Sequence, residues 1–143
     1  MSLRIARAVT RREMDNVFAI RRAVFIHEQG VDEAEEVDGL DPLSSHYLVW
    51  FDGEPVATLR LRRIGNVCKI ERMAVSRSFR RRGIGRALLD HVLADFRYEP
   101  SRAAVILHAQ EHAIAFYEKA GFKAEGETFD EAGIRHRRML RPA

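Results

Sequence analysis

The chain has 143 residues, of which 46% are hydrophobic and 31% charged, a composition typical of a globular protein and long enough for a single domain, residues 1–143, with its own core. With 24 Lys+Arg against 21 Asp+Glu, the formal net charge is only +3, which is too small to indicate a nucleic-acid partner. No apolar run has the length of a membrane span and none resembles a signal peptide, so we expect a cytoplasmic protein without a membrane partner.

Metal and disulfide chemistry are not indicated either. Cys68 is the single cysteine, which excludes an internal disulfide and a cysteine-based zinc site. No spacing of histidines and carboxylates predicts another metal site. We therefore expect a protein without a metal.

The first predicted elements are a strand over Leu3–Val9 and a helix that follows it. Thr10 and Glu13 have the spacing of a capping box, which starts a helix. Apolar residues then recur at helical spacing up to Phe25, and Gly30 is expected to end the helix. On this pattern the arginines of the helix face solvent, and these are Arg11, Arg12, Arg21 and Arg22.

Residues 28–41 are strongly acidic, with seven carboxylates, and Gly30, Gly39 and Pro42 are breakers of regular structure. One interpretation is a solvated acidic loop. The other is a cradle for a cationic acceptor, because carboxylates attract an amine before it reacts. The sequence leaves both interpretations open.

The middle of the chain predicts an antiparallel meander. Its strands are Tyr47–Phe51, a strand that begins at Pro55, and Val67–Val75, separated by turns at Asp52-Gly53 and Gly65-Asn66. A helix over Gly83–Phe96 and a buried strand over Ala103–Leu107, with Pro100 between them, predict a parallel pair. A helix over Glu111–Ala120 and strands over Phe122–Phe129 and Ile134–Leu140 complete the chain. The expected class is α/β, a mixed and mostly antiparallel sheet with a central parallel pair.

The turn between Val75 and this third helix predicts an anion site. Gly83 and Gly85 let a ligand approach the main chain, and the first turn of a helix has N–H groups without internal partners. Five arginines surround this point: Arg77, Arg80, Arg81, Arg82 and Arg86. The spacing fits neither a dinucleotide fingerprint nor a P-loop. The alternative is a helix start with a solvated basic face.

Three motifs in the chain share their spacing with one known family. They are Arg80-x-x-Gly83-x-Gly85 after a strand that ends at Val75, the helix Phe116-Tyr117-Glu118-Lys119-Ala120-Gly121-Phe122, and the acidic segments 25–32 and 36–41. The first two resemble the GNAT N-acetyltransferases, and the third resembles the subgroup often called ElaA-like or YjcF-like. The resemblance implies a sheet of six or seven strands with about four helices, and acetyl-CoA as cosubstrate.

The resemblance also implies a set of cofactor-binding residues. The loop would bind the pyrophosphate, and the end of the fourth strand would line the pantetheine and the thioester. Gln110 occupies a position where the family often has asparagine. The set is Met73, Ala74, Val75, Arg80, Arg81, Arg82, Gly83, Ile84, Gly85, Arg86, Gln110 and Tyr117. Arg81 departs from the family pattern, which often has glycine there, and this asks more of the local backbone.

Two residues are candidates for proton transfer. The tyrosine of the family helix points at the CoA sulfur, so Tyr117 is the expected general acid; a core aromatic is the alternative. Glu71 lies two residues before Met73 in an apolar strand and is the first choice of general base. An ion pair with Arg72 or Lys69 would also explain it.

The expected reaction is transfer of an acetyl group to an amine by direct attack in a ternary complex. Glu28 and His136 are candidates for acceptor binding, although His136 would equally be a surface histidine, and His108 would titrate nearby. The acceptor would be a small-molecule or protein amine, and the last strands would allow a homodimer. A non-catalytic acyl-CoA sensor on the same fold and a nucleic-acid binder are the alternatives, and the acidic loop argues against the latter.

Overall fold

A computed structural model describes residues 2–96 and 104–142. Its strands are β1 (Leu3–Arg7), β2 (Ser45–Phe51), β3 (Glu54–Ile64), β4 (Val67–Val75), β5 (Ala104–Gln110), β6 (Lys123–Glu131) and β7 (Ile134–Arg141). Its helices are α1 (Arg11–Arg21), α2 (Glu33–Glu36), α3 (Ile84–Phe96) and α4 (Ile114–Glu118). A π-helical segment, Arg22–Glu28, continues α1, and 3-10 turns lie at Asp41–Leu43, Arg77–Phe79 and Glu111–Ala113.

The strands form a single sheet in the order β1-β2-β3-β4-β5-β7-β6. The β4–β5 pair is parallel and central, and the other neighbours are antiparallel. The predicted fold class is confirmed: an α/β fold with a mostly antiparallel sheet and, within residues 2–96 and 104–142, four α-helices. The predicted helix exit at Pro100 and the first residue of the predicted fifth strand, Ala103, lie outside the described residues.

The capping box predicted for α1 is present. The Thr10 hydroxyl accepts a hydrogen bond from the Glu13 N–H at 3.1 Å, and the Glu13 carboxylate accepts one from the Thr10 N–H at 2.9 Å. The helical path continues beyond Arg21 as the π-helical segment and ends before Gly30, whose φ is +73°. Such segments often mark functional sites.

The meander of β2, β3 and β4 follows the predicted turns. Asp52 and Gly53 both have positive φ, +49° and +85°, as a tight hairpin turn requires. The bounds of β4 match those predicted. A bulge lies near its far end, where the register of β3 against β4 shifts between Thr58 and Arg60 and Arg72 has a φ of +53°.

Strands β4 and β5 are parallel partners along only part of their length. Their pairing runs from Val67–Ala104 to Ile70–Leu107, and no further pair joins these two described strands. On its other edge β5 pairs with β7 from Val105 opposite Arg141 to Gln110 opposite His136, past the last pair with β4. The carboxyl ends of β4 and β5 therefore diverge and open a cleft in the middle of the sheet.

The two faces of the sheet are covered by different helices. The larger buried cluster includes Leu88, Leu89 and Val92 of α3, packed against Leu59 and Leu107. A smaller cluster joins Val17 and Ile20 of α1 to Leu48 and Ala74, whose side chains point to the opposite face. This arrangement fixes the helix start at Gly83 and the end of α1 beside the cleft.

The prediction that Arg21 faces solvent is wrong. Its side chain is 1% exposed, and it binds Glu36 and Asp41, each at 2.7 Å. Arg60 on β3 is fully buried and binds Asp38 and Asp41. The acidic segment thus folds over α1 and β3, and arginines of the same chain neutralise much of its charge. For these carboxylates, neither the solvated loop nor the acceptor cradle describes the structure.

Candidate functional site

A cavity of about 1390 Å³ lies along the cleft between the ends of β4 and β5. The π-helical segment, the loop before α3, and α4 contribute to its walls. The predicted residues that line it are Glu28, Glu71, Met73, Ala74, Val75, Arg80, Arg81, Gly83, Ile84, Gly85, Arg86, Gln110, Tyr117 and His136. Of the predicted site residues, Arg82 alone is outside the lining.

The loop before α3 has the backbone geometry of a tight turn. Gly83 has a φ of +78° and Arg81 a φ of +63°, so a non-glycine residue occupies the left-handed region there. The Ala87 N–H donates to the Gly83 carbonyl at 3.0 Å, which places the start of α3 at this glycine. The first N–H groups of this helix have no intrahelical partner, and such a helix start favours an anionic ligand.

Gly85 lies where the loop meets the strand end and α4. A Cβ at this position would meet Met73 Cε and Val75 Cγ2 at 3.5 Å and Phe116 Cζ at 3.6 Å. These are ordinary van der Waals distances, so the protein itself would tolerate a methyl group here. Gly85 lines the cavity between the loop and the strand end, so a Cβ here would narrow it.

The arginines of the loop have different partners. Arg80 donates to both carboxylate oxygens of Glu28, at 2.6 and 2.7 Å, and to the Val75 carbonyl at 3.0 Å. This hydrogen bonding from Arg80 lowers the pKa of Glu28. The Arg82 guanidinium lies over the rings of Phe79 and Phe51, 5.1 and 5.8 Å from their centroids. The side chains of Arg80 and Arg82 therefore already have protein partners.

Arg81 and Arg86 bring further positive charge to the cavity wall. Arg86 donates to Asp90 one helical turn later at 3.0 Å, and nearly half of its side chain is exposed. Lys119 of the segment after α4 lines the same cavity. This end of the cavity thus carries cationic side chains around the helix start, which favours an anionic ligand.

Tyr117 of α4 lies beside Met73 of β4 in the cavity wall. Its hydroxyl donates to the Met73 sulfur at 3.5 Å, and its ring packs edge-on against Phe116 and Phe122. Burial raises the pKa of Tyr117 to about 12. The hydroxyl is therefore protonated at neutral pH and available as a donor inside the cavity.

Glu71 is held in ion pairs rather than free to accept a proton. Its carboxylate binds Arg60 at 2.8 Å, Arg62 at 2.5 Å and Lys69 at 3.3 Å. Burial alone would raise its pKa, but the hydrogen bond from Arg62 and the charges of Arg60 and Lys69 outweigh burial and lower it to about 2. Such a carboxylate is a weak base at neutral pH. This environment argues against Glu71 as the general base. The structure contains the alternative, an ion pair, and Lys69 is one of its partners.

His136 is not a surface histidine. It is 6% exposed, because β7 is covered by β5 on one side and β6 on the other. Its Nδ1 donates to the Ile134 carbonyl at 2.7 Å, and its ring stacks on Phe129. His136 lines the cavity, as the acceptor-binding interpretation requires.

Two contacts in the cavity wall had no signal in the sequence. Gln110 exchanges a pair of amide hydrogen bonds with Gln29 of the turn after the π-helical segment, at 2.9 and 3.2 Å. Glu131, at the end of β6, accepts a hydrogen bond from His108 Nδ1 at 2.9 Å. Both contacts join residues from distant parts of the chain, so no local spacing indicates them.

The described residues contain no group of three or more histidine, cysteine or acidic side chains placed to hold a metal ion. None of the helices in the described ranges is long and apolar enough to cross a membrane.

The sequence of the chain matches a known protein family. A family model for the acetyltransferase (GNAT) domain matches residues 8–141. The chain belongs to the GNAT acetyltransferase family. It is 33% identical over 130 residues to the N-acetyltransferase YjcF of Bacillus subtilis, covering 90% of this chain and 92% of that protein.

Two solved structures share the fold along nearly the whole chain. An acyl-CoA N-acyltransferase from Pseudomonas aeruginosa is 32% identical with a TM-score of 0.86, covering 98% of this GNAT chain and 99% of that one. Escherichia coli ElaA is 26% identical with a TM-score of 0.85, covering 98% of each chain. The resemblance to the ElaA-like or YjcF-like subgroup is confirmed.

Proposed function

We propose that the protein is an N-acetyltransferase that moves the acetyl group of acetyl-CoA to an amine by direct attack within a ternary complex. The observation that carries this proposal is a single cavity that contains the arginine-glycine loop, the separated ends of β4 and β5, and Tyr117. Membership of the GNAT family supports acetyl transfer, and the name of the Pseudomonas aeruginosa relative supports an acyl-CoA cosubstrate.

The loop would bind the diphosphate of the cosubstrate. The first-turn N–H groups of α3 would donate to phosphate oxygens, and Gly83 and Gly85 would allow close approach. Arg81 and Arg86 would add charge, since their side chains line the cavity near this point. The Arg80 side chain already binds Glu28, so it would stabilise the loop, or exchange this partner for phosphate.

The separated strand ends would hold the thioester. Met73, Ala74 and Val75 line the cavity, and in the described part of the chain none of them pairs with β5. Preorganised N–H donors stabilise the oxyanion of a tetrahedral intermediate because they need not reorganise during the reaction. We propose this segment as the oxyanion site.

The transfer itself has a simple balance of bonds and protons. The amine nitrogen forms a bond to the thioester carbon, and collapse of the tetrahedral intermediate breaks the carbon–sulfur bond. An ammonium acceptor loses one proton before attack and a second afterwards, and the thiolate takes one up, so one net proton is released. The Tyr117 hydroxyl would donate to the thiolate, which is a better acceptor than the Met73 thioether.

The acceptor is proposed as a small-molecule or protein amine. Deprotonating an alkyl ammonium of pKa near 10 at neutral pH costs about 4 kcal/mol, so a base in the acceptor half of the cavity would be needed. His136 and the segment after Glu28 would border this half. A cytoplasmic location and a homodimer through the last strands belong to the same proposal.

Isothermal titration with acetyl-CoA, followed by a colorimetric assay of free CoA with a panel of primary amines, tests the proposal. We expect saturable binding between micromolar and millimolar concentrations, and CoA release with at least one amine. Arg81→Ala should weaken binding, whereas Arg12→Ala on the far helix α1 should not. Absence of binding would refute the proposal; binding without release for any amine would favour the sensor alternative.

A further inference from the structure

A histidine of β5 and a carboxylate at the end of β6 meet in the cavity wall. His108 Nδ1 lies 2.9 Å from Glu131 Oε1. His108 is 24% exposed, and both residues line the cavity. Glu131 also lies 3.8 Å from His136 Nε2, so a single carboxylate stands between two imidazoles.

The partner of Nδ1 decides which nitrogen of His108 can act as a base. The hydrogen bond from His108 lowers the pKa of Glu131 against the opposing effect of burial, so Glu131 is ionised at neutral pH. An ionised carboxylate only accepts hydrogen bonds, and therefore Nδ1 carries the proton. The lone pair of the neutral ring is then on Nε2, for which the described residues supply no hydrogen-bond partner.

The surroundings of the pair are fixed by three strands. Phe129 of β6 packs edge-on against His108, with ring centroids 4.9 Å apart. The charged groups around the pair are Lys69 and Glu71 of β4, which bind each other, and Arg138 and His136 of β7. Lys69 and His136 both add positive potential at Glu131. Arg138 is bound to Glu125.

The position of His108 in the sheet places it beside the proposed reaction centre. Leu107 is the last residue of β5 that pairs with β4, and His108 is the first beyond it. His108 thus stands on the β5 side of the opening, while Met73 and Tyr117 line the same cavity from β4 and α4. A base here and a donor at Tyr117 would flank the thioester from opposite walls.

We propose that His108 is the general base of the transfer reaction and that Glu131 is its positioning residue. This inference rests on the proposed function. Nε2 takes a proton from the acceptor ammonium, the nitrogen–hydrogen bond breaks, and the freed lone pair attacks the thioester. The imidazolium that forms is stabilised by the Glu131 carboxylate at Nδ1 and returns its proton to solvent. His108, and not Glu71, is then the general base, and unlike Glu71 it is not held between three cations.

The test compares His108→Gln with His91→Gln. His91 is a matched control, because it also faces a carboxylate, Asp95 at 3.9 Å, but lies on α3 outside the cavity lining. The amine that the wild-type protein acetylates fastest in the panel serves as acceptor, and kcat/KM is followed from pH 5.5 to 9. Titration with acetyl-CoA and thermal melting are measured for each variant.

We expect His108→Gln to lower kcat/KM by about 100-fold, the usual contribution of a positioned base. The decline of the wild-type rate at acidic pH should disappear in this variant, while acetyl-CoA affinity stays within about twofold of wild type. Glu131→Gln should lower kcat/KM less, because it leaves the imidazole in place. His91→Gln should match wild type.

Two results would overturn the inference, and they differ in what else they affect. If His108→Gln transfers acetyl groups within threefold of wild type with an unchanged pH profile, His108 is not the base, although the proposed function stands. If the wild-type protein itself transfers to none of the amines, the proposed function fails together with this inference. Should His108→Gln melt early, the pH profile of Glu131→Gln decides: an unaltered acidic limb and rate would contradict the proposal.

Discussion

Replacing Glu71 by Gln should destabilise the protein rather than abolish its chemistry. The carboxylate has a pKa of about 2 in the folded protein against an ordinary value of 4.5. At 1.36 kcal/mol per pKa unit, this difference corresponds to about 3 kcal/mol of stability at neutral pH. Glutamine keeps the shape of the side chain but removes the charge that binds Arg60, Arg62 and Lys69.

The pH dependence of this loss has a definite sign. Because folding lowers the pKa of Glu71, its stabilisation is fully present above the unfolded-state value near 4.5 and is lost as the pH falls towards about 2. Urea unfolding of wild type and Glu71→Gln should therefore differ by about 3 kcal/mol at pH 7, and by less than half of that at pH 3. The control is Glu35→Gln, a cavity-lining carboxylate without an ion pair among the described side chains, which should leave the urea midpoint unchanged.

A difference below about 0.5 kcal/mol at pH 7 would refute this reasoning about the ion-pair cluster. So would a loss of 100-fold or more in kcat/KM with full stability, because that is the behaviour of a general base. We expect Glu71→Gln to retain kcat/KM within tenfold once the protein is folded.

Two further variants test the buried charge and the proposed acid. Arg60→Met leaves Asp38, Asp41 and Glu71 without their shared cation, so the free energy of unfolding in urea should fall by about 3–5 kcal/mol. An unchanged urea midpoint would contradict the burial argument. Arg12→Met on the exposed face of α1 is the control. Tyr117→Phe should lower kcat by about 100-fold while acetyl-CoA affinity in a titration changes less than threefold, because only the hydroxyl that donates to Met73 is removed; an unchanged kcat would exclude the proposed acid.

Local signals in the sequence were sufficient for most of the fold. The capping box of Thr10 and Glu13 acts over three residues, and the turn at Asp52-Gly53 over two, so both follow from chain chemistry alone. Strand β4 was predicted with its observed bounds because its apolar run ends at clear turn and loop signals.

Ion pairs between residues that are distant in the sequence have no such local signal. Arg21 follows the polar spacing of α1, yet its partners Glu36 and Asp41 lie 15 and 20 residues away in sequence. The composition of the acidic segment indicates a solvated loop or a cradle for an acceptor, because no local pattern shows that the segment folds back over the sheet. Periodicity indicates which face of a helix is apolar, but not which charge a distant segment will neutralise.

The candidate site shows the same division. The loop with Gly83 and the helix with Tyr117 follow from short motifs, and the structure places both on one cavity. A carboxylate in an apolar strand is unusual, and this predicts Glu71 as a base, but Arg60, Arg62 and Lys69 supply the structural reason for it. The pairing of His108 with Glu131 depends on the order of the sheet, in which β5 and β6 lie on either side of β7. No spacing in the sequence reveals this order.

A crystal structure of the protein with CoA bound would test the central claim most directly. We expect the diphosphate to lie within hydrogen-bond distance of main-chain N–H groups between Arg81 and Gly85. The sulfur should lie within reach of the Tyr117 hydroxyl. The rest of the cavity, towards His108 and His136, should remain open for an acceptor. CoA bound elsewhere, or with its sulfur directed away from Tyr117, would contradict the account.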